Sequence, residues 1–124
     1  MTLKYDLEER TLKFAKNVRL FTRKLKKNTD LRTDITQLIR SSGSVGANYI
    51  EANDALSKKD FIMRIRICLK EAKESEYWLL IIHELQPDHE ETRLIELVNE
   101  AHELRYIFAS ILKKTLKKDH KLNN

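Results

Sequence analysis

The chain has 124 residues and a mass of 14.7 kDa, the common size of one compact domain, and leaves no room for a second hydrophobic core. Hydrophobic residues make up 41% and charged residues 35%, with two glycines and one proline, which argues against β-sandwiches, collagen-like repeats and long disordered tails and favours long helices. The net charge of +5 permits a polyanionic partner without demanding one.

The first predicted helix covers about residues 7–27. Its apolar residues recur at the spacing of three and four that places side chains on one helical face: Leu7, Phe14, Val18, Phe21 and Leu25. Basic side chains point the opposite way, so this second face must meet solvent or an anion.

The second predicted helix, about residues 34–56, includes the segment SSGSVGAN. Gly43 and Gly46 each cost about 1 kcal/mol relative to alanine inside a helix, so propensity alone favours a loop. The apolar period nevertheless continues across the segment without a change of phase. We therefore predict an unbroken helix, in which small residues allow another helix backbone to approach closely.

The third and fourth predicted helices cover about residues 58–86 and 89–117. Ser57 and Asp60 form a capping box that opens the third helix, and Pro87 ends it. Four helices with short connections predict an all-α, up-down-up-down antiparallel four-helix bundle over residues 1–118, followed by a polar C-terminal tail at 119–124.

Positive charge is concentrated at the two ends of the sequence. Residues 1–30 hold nine bases and four acids, whereas residues 87–112 hold two bases and six acids. Ten residues form a candidate nucleic-acid-binding surface that would neutralise phosphates with little sequence preference: Lys16, Arg19, Arg23, Lys24, Lys26, Lys27, Lys113, Lys114, Lys117 and Lys118.

Two other interpretations of these charges stay open. The basic face is solvated in one of them. In the other, an acidic stripe on the fourth helix pairs with the first helix of a neighbouring subunit, so that assembly uses the basic face. The acidic stripe comprises Glu96, Glu100 and Glu103.

A candidate subunit interface lies on the second helix, opposite its apolar side. It consists of Arg40, Ser44, Ala47 and Glu51. Small residues between opposite charges suit a close contact between helices with ion pairs at its ends, although a solvated face would have the same pattern.

No pattern in the sequence predicts an enzyme, a metal site or a cofactor. Di-iron bundles need Glu-x-x-His pairs, and none of the four histidines has a glutamate three residues before it. Cys68 lies on the apolar stripe of the third helix without a histidine within a turn, which indicates a buried structural thiol. With no signal peptide or membrane-spanning run, we expect a soluble, cytoplasmic protein.

Three segments carry a resemblance to a known family: YDLEERTLKFAKNVRLF at 5–21, QLIRSSGSVGANYIEA at 37–52 and KKDFIMRIRICLKEAKESEYWL at 58–79. They resemble the bacterial four-helix bundle proteins encoded in intervening sequences of 23S ribosomal RNA genes. The residues that match the family pattern are Arg40, Ser41, Ser44, Asn48, Glu51, Phe61, Ile65 and Glu71. No catalytic residue comes with the resemblance.

The resemblance implies an up-down bundle that assembles into a ring-shaped homopentamer. A related protein, the accessory factor of diversity-generating retroelements, binds nucleic acid through basic surface residues and docks a reverse transcriptase. We therefore expect a non-enzymatic, oligomeric bundle that binds RNA or DNA nonspecifically. The alternative is an adaptor whose ring docks a partner protein such as a polymerase.

Overall fold

The computed structural model describes residues 3–25 and 29–123, with side chains placed for residues 7–25 and 30–118. It contains four long helices: α1 Leu3–Arg23, α2 Arg32–Asn53, α3 Lys58–Leu85 and α4 Glu91–Asn123. A 3-10 turn at Thr29–Leu31 leads directly into α2. The described residues contain no strand, so the all-α prediction is confirmed.

The helices alternate in direction and pack around one core. α1 contacts α2 and α4, and α3 contacts α2 and α4, so the four helices close into a bundle. The largest fully buried side chains are phenylalanines from α1 and α4: Phe14, Phe21 and Phe108. No helix within the described residues has an apolar stretch long enough to cross a membrane.

The ends of the helices differ from the predicted bounds for local reasons. Ser57 caps α3 as predicted, and its Oγ accepts a hydrogen bond from the backbone N–H of Asp60 at 3.0 Å. α4 begins two residues later than predicted because Glu90 adopts a left-handed backbone conformation with φ 42°. It then continues to Asn123 through the predicted tail, where no glycine or proline interrupts the helix.

The glycine-containing segment of the second helix is helical throughout, as predicted. Its two glycines have different surroundings. A Cβ built on Gly46 would lie 2.9 Å from Thr11 Oγ1 and 3.1 Å from Thr11 Cβ, so α1 approaches α2 as closely as a glycine allows. A Cβ on Gly43 would meet the flexible end of Arg19, with Nη2 at 3.2 Å.

We expect Gly46→Ala to lower the free energy of unfolding by about 1–3 kcal/mol, because the added methyl group overpacks the contact with the buried Thr11. Gly43→Ala is the matched control on the same helix. It should be neutral or should stabilise by up to about 1 kcal/mol, since the Arg19 side chain can move and alanine favours the helix. Urea unfolding of both variants measures the difference. Equal effects would show that the α1–α2 contact is looser than the structure indicates.

Candidate nucleic-acid interface

The first predicted basic cluster lies on the second half of α1, where its described members are exposed. Lys24 Nζ binds the carboxylate of Glu90 just before α4, and Arg19 Nη1 donates to the carbonyl oxygen of Ala15 at 3.0 Å. Two members show no ion pair within the described residues: Lys16 and Arg23. Two more lie outside the described residues: Lys26 and Lys27.

The second predicted basic cluster is at the opposite end of the bundle. Lys113, Lys114, Lys117 and Lys118 are exposed on the last turns of α4. Because Lys24 is level with Glu90, the two clusters are separated by more than twenty residues of α4, about 35 Å at 1.5 Å per residue. The antiparallel fold therefore does not bring the eight predicted residues that the structure describes into one surface of a single chain.

The acidic stripe of α4 is matched by the chain's own first helix. Arg10 Nε and Nη2 bind the two oxygens of Glu100 at 2.8 Å each, and Nη2 also binds Glu103 at 2.7 Å. The paired, planar geometry is the strong form of an arginine–carboxylate contact. Two of the three stripe carboxylates thus meet α1 within one chain, rather than the first helix of a neighbour.

The structure shows that the second predicted cluster is part of a larger concentration of positive charge, whose α3 part the sequence interpretation missed. We call it the basic end; it consists of residues 58–77 of α3 and residues 102–118 of α4, which pack antiparallel. These stretches hold eleven lysines and arginines against five acids. All four of their glutamates bind arginines of the same chain: Glu71 and Glu74 bind Arg40, Glu76 binds Arg105 and Glu103 binds Arg10.

Four exposed cations form a stripe along α3 within the basic end. Lys59, Arg66, Lys70 and Lys73 are spaced by seven, four and three residues, which places them on one helical face. None of them forms an ion pair within the part of the chain that the structure describes. The four residues recur at helical spacing in the sequence, but among the apolar residues of the third helix they were not recognised as a basic face.

A groove separates the stripe from α4, and we call it the α3–α4 groove. Its two compartments, of about 300 and 360 Å³, are adjacent, and both are lined by Leu69 and Lys73. The other lining residues are Arg66, Lys70, His102, Arg105, Tyr106, Ala109 and Leu112. Apolar side chains thus line a groove that has cations on both helices.

The predicted subunit interface lies on the outer face of α2, and its first residue, Arg40, forms ion pairs within the chain. Arg40 Nη1 binds Glu71 Oε2 at 2.8 Å, and Nη2 binds Glu74 Oε1 at 2.6 Å. Ser44 Oγ accepts a hydrogen bond from Asn48 at 2.9 Å. The other two members are exposed: Ala47 and Glu51. No second chain is present, so the interface stays a prediction.

Arg40 supports a polar network between α2 and α3. Glu71 is only 5% exposed, and Ser75 Oγ donates to its backbone carbonyl at 2.9 Å. A buried carboxylate without a partner is costly, so the Arg40 guanidinium stabilises this helix pair. The match of Arg40 and Glu71 to the family pattern thus has a structural explanation within one chain.

Cys68 is fully buried, and its Sγ donates a hydrogen bond to the carbonyl oxygen of Val45 at 3.4 Å. Burial raises the pKa of the thiol to about 12. A protonated thiol without access to solvent is a poor nucleophile. The described residues contain no cluster of three metal-ligating side chains.

Comparisons with known proteins agree with the fold and with the quoted segments. The family model of the 23S rRNA-intervening sequence protein matches residues 4–117. A crystal structure from Bacteroides thetaiotaomicron, described as a protein with unknown function from the S23 ribosomal protein family, is similar with a TM-score of 0.77. It is 32% identical, and the match covers 86% of this chain and 97% of that one. No curated protein matches the chain.

The Arg40 network predicts a dependence of stability on pH. Hydrogen bonds donated by Arg40 and by Trp78 Nε1 hold the pKa of the Glu74 carboxyl below its ordinary value of 4.5. Because the folded-state pKa is the lower one, the stabilisation is present above pH 4.5 and is lost as the pH falls below it. We expect Glu74→Gln to lower the free energy of unfolding by up to about 1 kcal/mol at pH 7 and by less at pH 3.5.

Urea unfolding at several pH values measures this difference, and Arg40→Gln provides the control background. In the Arg40→Gln background, Glu74→Gln should lose most of its pH-dependent effect on the free energy of unfolding, since the main cause of the lowered Glu74 pKa is absent. A Glu74 effect of the same size at every pH would contradict the assignment.

Proposed function

The chain belongs to the family of 23S rRNA-intervening sequence proteins, and from this premise together with its charge distribution we propose that it is a non-enzymatic bundle that binds RNA or DNA nonspecifically. The buried, protonated thiol of Cys68 favours a structural role for the one cysteine. Family membership alone does not supply a role, because the similar crystal structure is itself described as having unknown function.

The observation that carries the proposal is the imbalance of charge at the basic end. Its four glutamates are neutralised internally, and the arginines Arg10 and Arg40 that bind three of them come from α1 and α2. Seven exposed lysines of the basic end therefore have no acidic counterpart among these glutamates: Lys59, Lys70, Lys73, Lys113, Lys114, Lys117 and Lys118. Such a surface attracts phosphates and releases their counterions, which gives affinity without sequence preference.

The proposed binding surface includes one of the two predicted basic clusters. Lys113, Lys114, Lys117 and Lys118 of α4 lie at the same end as the start of α3, where Lys114 and Lys118 line a cavity of about 640 Å³ with Phe61. The cluster on α1 is distant from them, and its Lys24 is bound by Glu90. We place the nucleic-acid contact at the basic end.

We expect micromolar or tighter binding to a fluorescent 20-nucleotide RNA at 50 mM KCl. With four phosphate contacts, affinity should fall about fifty- to a hundredfold at 200 mM KCl, measured by fluorescence anisotropy. The double variant Lys70→Gln/Lys73→Gln should weaken binding and reduce the salt dependence. The matched control Lys16→Gln/Arg23→Gln, on α1, removes the same charge and should bind like the wild type.

Absence of binding at 50 mM KCl would contradict the proposal and would favour a partner protein as the ligand. Equal losses in the two double variants would show that net charge, and not the basic end, governs the affinity.

We also propose that copies of the chain assemble through the outer face of α1 and α2, with a homopentamer as the expected form. Leu12 of α1 is 70% exposed and Ile50 of α2 is 49% exposed, so two large apolar side chains on neighbouring helices are left in water. By its spacing, Ala47 lies beside Ile50 on the outer face of α2, so the predicted interface adjoins this apolar pair. Burying both side chains against a neighbour would remove apolar surface from water.

Ala47→Arg should therefore lower the mass measured by sedimentation equilibrium, because a long charged side chain would prevent close contact between helices. This substitution tests assembly more cleanly than Arg40→Ala, which would also leave Glu71 buried without its partner. Asn99→Arg, at an exposed position on α4, is the control and should leave the mass unchanged. An unaltered mass of the Ala47→Arg variant would remove this face from the assembly.

A further inference from the structure

We infer that the α3–α4 groove binds single-stranded nucleic acid, with an unstacked base resting against the ring of Tyr106. The inference rests on the proposed function and names the form of nucleic acid that the groove accepts. Tyr106 lines the groove between His102 and Ala109 and is 75% exposed, so its ring is available to a ligand.

The exposure of Tyr106 has no explanation in the folding of one chain. Tyrosine gains stability by burying its ring and satisfying its hydroxyl group, and Tyr106 has no hydrogen bond with the described residues. The other tyrosine of comparable exposure, Tyr77, differs because its ring packs edge-on against Trp78 with centroids 5.2 Å apart. Tyr106 is thus the exposed aromatic ring that stands beside a cation-lined groove.

The basic residues of the groove match the phosphates of a single strand, and its apolar residues match the bases. Lys70, Lys73 and Arg66 on the α3 side are placed to meet phosphates, whereas Leu69, Leu112 and Ala109 provide an apolar surface for the faces of bases. Proteins that bind single strands combine a positively charged groove with aromatic rings on which bases stack. A duplex keeps its bases stacked inside and offers phosphates only, so it cannot use the apolar surface.

The dimensions and the charges agree with this ligand. Along α4 the groove runs from His102 to Leu112, about 15 Å at the rise of a helix, which is room for a few nucleotides. Glu76, a carboxylate beside it, is bound by Arg105 and lies 3.2 Å from His102 Nδ1. An acidic protein segment would meet the same cations, but it would need an aromatic side chain at the right position, whereas every nucleotide of a single strand carries a planar ring.

Competition between three probes of equal length tests the inference: a 15-nucleotide oligouridylate, an abasic 15-mer with the same backbone, and a 15-base-pair duplex. We expect the wild-type protein to bind the oligouridylate about tenfold more tightly than the abasic strand. Tyr106→Ala should abolish this difference, whereas Tyr106→Phe, which retains the ring, should preserve it. Tyr77→Ala is the control at an exposed tyrosine outside the groove and should also preserve it.

The outcomes separate the two proposals. If no probe binds at 50 mM KCl, the proposed function fails and the inference fails with it. If all three probes bind equally well, or Tyr106→Ala retains the preference for oligouridylate, nucleic-acid binding stands and the groove assignment is overturned. A lower sedimentation mass of Tyr106→Ala would overturn it as well, since it would show that a second copy covers the groove. Circular dichroism checks that each variant is folded.

Discussion

The alternating direction of the four helices decides which charges of this chain can meet. It places the end of α1 beside the start of α4, where Lys24 binds Glu90, and the start of α3 beside the end of α4. The α1–α2 side of the bundle depends on a close approach of the two helices at Gly46, where a Cβ would have no space against Thr11. As a result, the two predicted basic segments, which are similar in composition, lie at opposite ends of the bundle.

Internal ion pairs then determine which of these charges face solvent without a counterpart. Arg10 and Arg40 reach from α1 and α2 to carboxylates on α4 and α3, so they join neighbouring helices and at the same time remove acidity from the surface. Exposed pairs of this kind add little to stability, whereas the pair with the buried Glu71 matters because that carboxylate has lost its water. Their larger effect is on the surface potential, because they leave the lysines of α3 and α4 as its main source at the basic end.

Much of the fold could be predicted because its signals are local. The unbroken apolar period from Ile35 to Tyr49 outweighed two glycines, and Ser57 followed by Asp60 marked the start of α3. The site was harder to predict because it depends on partners far away in the sequence. Arg40, predicted at a subunit interface, forms ion pairs with carboxylates 31 and 34 residues away, and no local pattern indicates these pairs. The stripe of cations from Lys59 to Lys73 could be interpreted as a binding surface only once the nearby carboxylates were seen to form ion pairs within the chain.

The stripe on α3 is also unfavourable for the isolated chain. Arg66 and Lys70 are four residues apart on an exposed helical face, and Lys73 follows three residues later, so neighbouring like charges repel along the helix. A glutamate in place of one of two cations four residues apart would instead form a stabilising i, i+4 ion pair on the same helix. Exposed Tyr106 across the groove adds apolar surface that the chain leaves in water. A single class of ligand, a polyanion that carries flat apolar faces, would compensate both the repulsion between the cations and the exposure of the ring, and this is the ligand that we propose.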